Sequence, residues 1–181
     1  MKGGISYKSS VNRTLHVLYL LTMNGGPMDL KQMIVRVYGF LLNDNGEILI
    51  SDEFHYGMRM RKLPGGGLQL GEGTAQTLRR ELMEEMEVDL LPSKLVHTTA
   101  SFIRSVFNPA HQVMGVYYHV PVQDGNLISR FKLEQAAACK NGDVFFRWSR
   151  VGELNPLDFT FPMDQEAWMV FKGQYDSGLF T

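Results

Sequence analysis

Several things are scarce in this chain. It has one cysteine, Cys139, so no intrachain disulfide can form, and a reducing compartment such as the cytoplasm is the expected location. No Cys/His motif surrounds Cys139, which reads as a small packed or loop residue rather than a catalytic thiol. No apolar run approaches the about 20 residues a membrane-crossing helix needs. The nearest candidate, Leu15 to Met23, follows Lys2 and Arg13 and precedes Gly25-Gly26-Pro27, the outline of a signal peptide. His16 and Thr22 interrupt that outline, and no small-x-small cleavage site follows. Residues 1–27 are therefore read as an extension without a catalytic role, residues 28–175 as the working domain and residues 176–181 as a tail. Charge of one sign is missing too: 18 Lys and Arg against 19 Asp and Glu give a net −1. Such a balance supplies no electrostatic footprint for nucleic acid or an anionic membrane. A polyanionic substrate would need a local attractor, and a divalent cation is one. There are no repeats and no low-complexity tracts.

What is present is a strand-rich first half. Met33 to Leu42 is full of strand formers; Asn43-Asp44-Asn45-Gly46 and then Glu47 to Ile50 complete a hairpin signal. Arg59 to Leu63 predicts a short strand, stopped by Pro64 and a glycine turn, Gly65-Gly66-Gly67. Thr74 to Glu87 has helical periodicity. Lys94 to Phe107 and Gln112 to Val122 predict two strands, and Val144 to Trp148 another, with a weakly patterned stretch over Leu127 to Asp143. Asp164 to Lys172 predicts a closing helix that stops at Gly173. Strands with one helix in the middle and one at the end imply a mixed α/β domain.

The informative stretch is the glycine turn and the helix after it. At about 100° per residue, Glu81, Glu84 and Glu85 share one arc, beside a core stripe of Ala75, Leu78, Leu82 and Met86. Three neighbouring carboxylates repel one another. A hard, oxygen-seeking cation such as Mg²⁺ or Mn²⁺ relieves that repulsion. A solvated helix face with Glu84 paired to Arg80 is the plain alternative. The glycines ahead of the helix add a backbone that a ligand or metal can approach closely.

Gly66, five residues, Glu72, seven residues, Arg80-Glu81-Leu82, one residue, Glu84-Glu85: this spacing resembles the Nudix box, closely over Gly66 to Val88 and loosely over residues 28–175. One position departs. The family usually has glycine where this chain has Glu87, which costs about 1 kcal/mol in a left-handed cap or else lengthens the helix. Gln69 stands where many members are acidic.

The resemblance implies an α/β Nudix fold, a mixed β-sheet sandwiched between helices (α/β/α). It also implies Mg²⁺- or Mn²⁺-dependent hydrolysis of the pyrophosphate bond in a nucleoside diphosphate linked to another group X. Carried over by position, Glu81, Glu84 and Glu85 are the metal ligands, with the Gly65 carbonyl an added one. Arg80 orients the glutamates, and Glu72 supports the loop or an outer water. The metal would activate water and neutralise the phosphate. The general base stays open between the box and a later loop, where Asp143 precedes the strand of Trp148 and Glu134 lies farther back.

Arg59, Arg61 and Lys62 precede the glycines closely enough to reach a phosphate, and alternation puts Arg59 and Arg61 on one face as candidate substrate contacts. Phe102, Phe107, Tyr117, Tyr118 and Trp148 read mainly as core, and spacing singles out none of them to stack a base. His55, His97, His111 and His119 have no metal-ligand spacing. Group X stays open: Pro92 is too near the box and Pro109 too far to mark an ADP-ribose enzyme. Partners are a small nucleoside diphosphate derivative, no nucleic acid and no membrane, with a homodimer left open. The alternative function is a module that binds or senses a nucleotide without cutting it. An isoprenoid diphosphate isomerase would need cysteine and glutamate motifs that are missing.

Overall fold

The computed structural model describes residues 29–55, 57–124, 127 and 142–180. The N-terminal extension (residues 1–27), most of the weakly patterned stretch, Glu134 and Cys139 lie outside them.

β-Branched and aromatic residues crowd Gln32–Asn43, which forms the long strand β1. Asn43 then turns the chain, its side-chain oxygen accepting from the Asn45 and Glu47 amides at 3.0 and 3.1 Å. Strand β2 (Glu47–His55) runs back antiparallel, with Leu42 opposite Ile48. The expected hairpin forms, but its loop is of three residues. Gly46 alone in the turn has a positive φ, 71°, which suits a turn closed by one left-handed glycine rather than a two-residue Asn-Gly turn.

β2 leaves β1 soon after that turn. Its place on the edge of β1 is taken by β4 (Gly65–Gly67), with Arg36 opposite Gly67 and Tyr38 opposite Gly65. The glycine run expected as a turn is thus a strand, fixed by main-chain pairing. β2 goes on to pair with β3 (Met58–Lys62) and with β8 (Val144–Arg150). On its other side β1 pairs in parallel with β7 (His111–Val122) along its whole length. β5 (Lys94–Thr98) and β6 (Ile103–Arg104) both add antiparallel to β7. The single strand expected over Lys94 to Phe107 is broken there, where Thr99 Oγ1 instead accepts from the Gly115 amide at 2.7 Å. The order across the sheet is β3-β2-β1-β7-β5.

Alternation along β1 feeds two cores. Val37 and Leu41 pack with Leu78, Leu82 and Met86 of helix α1 (Thr74–Met86). Tyr38, Phe40 and Leu42 pack with Met163, Ala167, Trp168 and Phe171 of helix α2 (Pro162–Asp176). Phe40 lies flat on Phe171, centroids 4.1 Å apart. One helix covers each face, which gives the expected α/β/α sandwich with a mixed sheet. α2 is longer than the periodicity suggests: Pro162 starts it, where a fixed φ suits the first turn, and it continues through Gly173. Beyond it Phe180 folds back onto Phe171 at 5.3 Å. Among the described residues no helix is long and apolar enough to cross a membrane.

Candidate functional site

α1 begins without a capping side chain at Gly73; Gln76 reaches back instead, its Oε1 accepting from the Gly73 amide at 2.7 Å. Just ahead, the Glu72 carboxylate accepts from the Gln69 amide at 3.1 Å and from Thr77 Oγ1 at 2.9 Å. That closes the loop between β4 and α1 over its own first turn.

Arg80 is the hub of the site. Its Nε and Nη2 donate to the two Glu72 oxygens at 2.5 and 3.0 Å, the bidentate fork that suits a guanidinium. Nη2 also donates to the Gly67 carbonyl at 2.9 Å. Nη1 donates to Glu81 at 3.0 Å and to Glu84 at 3.2 Å. One side chain therefore ties the loop, the glycine strand and two helix carboxylates together. The Arg80 hydrogen bonds, with help from the Gln69 and Thr77 donors, pull the Glu72 carboxyl down to about 2.

Glu81 and Glu85 turn towards β4. A β-carbon on Gly66 would stand 2.1 Å from the Glu81 carboxyl carbon, so the absent side chain is what lets that carboxylate lie on the strand. Glu85 Oε2 accepts from the Gly65 amide at 3.4 Å. The protein packed around the Glu85 carboxylate pushes it up to about 7, with Glu53 and Glu81 adding repulsion and Lys62 and the Gly65 amide opposing. The Glu85 residue as a whole is exposed on the helix, so the shift belongs to the carboxylate end, crowded against β4, and not to deep burial of the residue.

These donors are all hard oxygens on a backbone a ligand can approach, which fits a divalent cation. The fit is incomplete as the side chains stand. Among the described residues no three His, Cys, Asp or Glu side chains are arranged to hold a metal ion. Glu84 is the outlier, its side chain 58% exposed and held by Arg80. Glu81 and Glu85, beside the glycine strand, and Glu84, once released from Arg80, are the side chains that could hold the ion.

The remaining expected residues are placed as follows. Gly65 pairs with Tyr38 at φ 132°. Arg59 is exposed. Arg61 is engaged elsewhere: its Nε donates to Asp52 at 2.7 Å, Asp52 also takes Arg147 at 2.7 Å, and Asp158 lies 3.9 Å away. Lys62, on the opposite side of β3, is the basic residue that faces the carboxylates; its ammonium lies 2.9 Å from Glu53. Asp143 stands at the foot of β8, its carbonyl accepting from the Phe54 amide at 3.0 Å. Of the aromatics, Tyr117 is fully buried, while Phe107 is 52% exposed and touches Phe161 edge-on.

Two groupings escape sequence reasoning. One is the Lys62–Glu53 pair. The other is Tyr117, whose hydroxyl donates to Asp164 Oδ1 at 2.6 Å. Asp164 is wholly buried, its Oδ2 has no hydrogen-bond partner among the described residues, and burial raises its carboxyl to about 7. The first joins neighbouring strands nine residues apart, and the second joins residues 47 apart in the chain. The one local signal was an acid in the first turn of a helix after a proline.

The fold recurs in solved structures. The E. coli ORF135 protein matches with a TM-score of 0.59 at 19% identity, over 87% of this chain and 100% of that one. The MutT protein from Methanosarcina mazei Go1 matches at 0.55 and 15% identity, over 83% and 98%. The NUDIX domain of Shewanella oneidensis NrtR, solved with ADP ribose, matches at 0.51 and 19% identity, over 89% and 97%. At these identities the likeness is one of fold. The NUDIX domain family model matches residues 33–168, most of the chain and all of the glycine strand and carboxylate helix, and this protein belongs to the Nudix family.

Proposed function

We propose that the chain is a Mg²⁺- or Mn²⁺-dependent hydrolase that cleaves the pyrophosphate bond of a nucleoside diphosphate linked to a further group X. The observation that carries this reading is the pairing of carboxylate and glycine, Glu81 on Gly66 and Glu85 on Gly65. Glu81 lies where a Gly66 side chain would otherwise stand, and Glu85 is held by the Gly65 amide, both at the edge of a main-chain strand. Family membership supports hydrolase chemistry and, in general, a divalent cation. The bound ion would neutralise phosphate oxygens and lower the pKa of the attacking water.

The chain's own residues have distinct tasks. Glu81 and Glu85 hold the ion, joined by Glu84. Arg80 keeps Glu81 at the strand and, through Glu72 and Gly67, fixes the loop against the helix. Crowding without an ion pushes the Glu85 carboxyl up to about 7, so taking up the cation would release its proton; the general base stays open between the box and Asp143. Substrate contacts fall to the residues bordering β4. The ADP ribose bound to the NrtR domain supports a small nucleotide derivative as ligand.

The test is a panel of nucleotide sugars, dinucleoside polyphosphates, nucleoside triphosphates and ADP-ribose with Mg²⁺ or Mn²⁺, scored by phosphate or nucleotide release. Cleavage of at least one member is expected, with Glu85→Gln losing turnover while keeping the fold. Near-normal activity of Glu85→Gln at saturating Mg²⁺ would overturn the site. A second reading, binding without cleavage, is favoured by the Arg80 contacts that occupy Glu81 and Glu84. Silence across the panel with tight binding of one member would establish it.

A further inference from the structure

Where β4 replaces β2 on the edge of β1, two cations lie together. Arg36 comes from β1, opposite Gly67, and Lys62 from the end of β3. Each stands 5.6 Å from the centre of the Tyr38 ring, so one aromatic side chain carries both. Lys62 is deep, its side chain 8% exposed, with the Glu53 carboxylate at 2.9 Å. An ammonium has three donors, and Glu53 is the one ion-pair partner of Lys62 among the described residues. Arg36 gives its Nε to Tyr38 Oη at 3.0 Å. Among the described residues it makes no ion pair; Glu81 and Glu53 act on it only through their fields. Its Nη1 lies 3.5 Å from where a Gly67 β-carbon would be, so the guanidinium fork borders the glycine strand.

Burying Lys62 and partly burying Arg36 is unfavourable by several kcal/mol unless opposite charge attends them. Four carboxyl groups surround the pair: Glu53 on β2, Glu81 and Glu85 on α1, and the buried Asp164 on α2, which keeps its proton. Only Glu53 touches either cation. Among the described residues no hydrogen-bond partner takes the Arg36 Nη fork, two of the Lys62 ammonium protons or the Tyr38 hydroxyl proton, all beside one strand. Tetrahedral oxyanions match this donor set: a fork binds two phosphate oxygens and an ammonium a third.

We propose that Arg36, Lys62 and Tyr38 form an anion subsite beside β4 that takes phosphate oxygens of the substrate in addition to those reached from the helix carboxylates. The inference rests on the pyrophosphate reading above and deepens it. It assigns the phosphate contacts to Arg36 and Lys62, while Arg61 is committed to Asp52. Glu53 acts as the counter-ion that parks Lys62 until an anion arrives.

The test uses the full chain and methylenediphosphonate, a diphosphate whose P–C–P bridge water cannot cleave, followed by calorimetry with Mg²⁺ present. Mg²⁺ alone is titrated in parallel. Arg36→Gln and Lys62→Gln should each weaken methylenediphosphonate binding by about tenfold or more, the scale of a lost charged hydrogen bond. Their Mg²⁺ affinity should hold or rise, because a repelling cation has gone. Arg36→Lys and Lys62→Arg should restore most of the binding. Unchanged affinity in both Gln variants overturns the subsite, and so does a joint loss of Mg²⁺ and methylenediphosphonate in step with melting temperature. Glu53→Gln is the independent arm, since it keeps both cations. Released from its carboxylate, Lys62 should bind methylenediphosphonate several-fold more tightly, and equal or weaker binding counts against the proposal. If the wild-type chain binds no Mg²⁺, the hydrolase reading itself falls; if it binds Mg²⁺ and methylenediphosphonate and the variants match it, the subsite alone falls.

Discussion

The carboxyl carbon of Glu81 lies 2.1 Å from the point a β-carbon on Gly66 would occupy, while a β-carbon on Gly65 would meet the Val37 carbonyl oxygen at 2.2 Å. The two neighbours are glycine for different reasons. At Gly66 the obstacle is the end of a flexible side chain, and the backbone is in no left-handed region. At Gly65 the obstacle is main chain, and φ is 132°. Gly66→Ala should therefore fold with nearly wild-type stability but push Glu81 aside, lowering turnover on the order of 100-fold, the scale of a misplaced catalytic group. Gly65→Ala should lose about 2 kcal/mol or more of stability. Urea unfolding and turnover of both variants check this; equal losses of stability would refute the distinction.

Arg80 and Glu72 should stay paired far into acid. The Glu72 carboxyl lies at about 2, below its ordinary 4.5, so what the ionised pair contributes is complete above the ordinary value and disappears as pH falls towards 2. A ¹³C NMR titration of the carboxyl should show that low midpoint, returning towards 4.5 in Arg80→Gln. A wild-type midpoint near the ordinary value would count against the hub.

Asp164 runs the other way. Burial lifts its carboxyl to about 7 from 3.8, so the folded chain keeps a proton that the unfolded chain releases in between. Stability from this group is complete below the unfolded value and declines as pH rises through about 7. Asp164→Asn still offers an oxygen to Tyr117 and has no proton to lose, so its unfolding free energy should fall less than that of the wild type between pH 4 and 8. Parallel slopes would show Asp164 to be ionised in the fold.

Glu87 closes α1 in the left-handed conformation, φ 57° and ψ 36°, with its amide bonded back to the last turn. Of the two outcomes open to a non-glycine there, the chain takes the strained cap and not a longer helix. Glu87→Gly should raise stability by about 1 kcal/mol in urea unfolding, and Glu87→Ala should not, because it keeps the β-carbon.

Much of the site was legible because its logic is local. Arg80 reaches Glu81 and Glu84 through helical spacing, and the β1–β2 hairpin follows from its turn residues. What stayed hidden depends on how the elements pair and pack. Gly65 to Gly67 read as a turn, since glycines carry no strand signal and β1 supplies the pairing. Gly173 read as a helix stop, yet the contacts of Tyr175 and Phe180 with Phe171 hold the chain end in place around it. Alternation singles out Arg59 and Arg61 as one face, but only the structure shows that this face meets Asp52 and that Lys62, on the other, meets Glu53.

The replacement of β2 by β4 on the edge of β1 has an evolutionary consequence. A strand held by its own amides and carbonyls does not depend on which side chains flank it. Substitutions at exposed positions of β3, such as Arg59, should leave the pairing of β4 with β1, and so the rail on which Glu81 and Glu85 rest, in place.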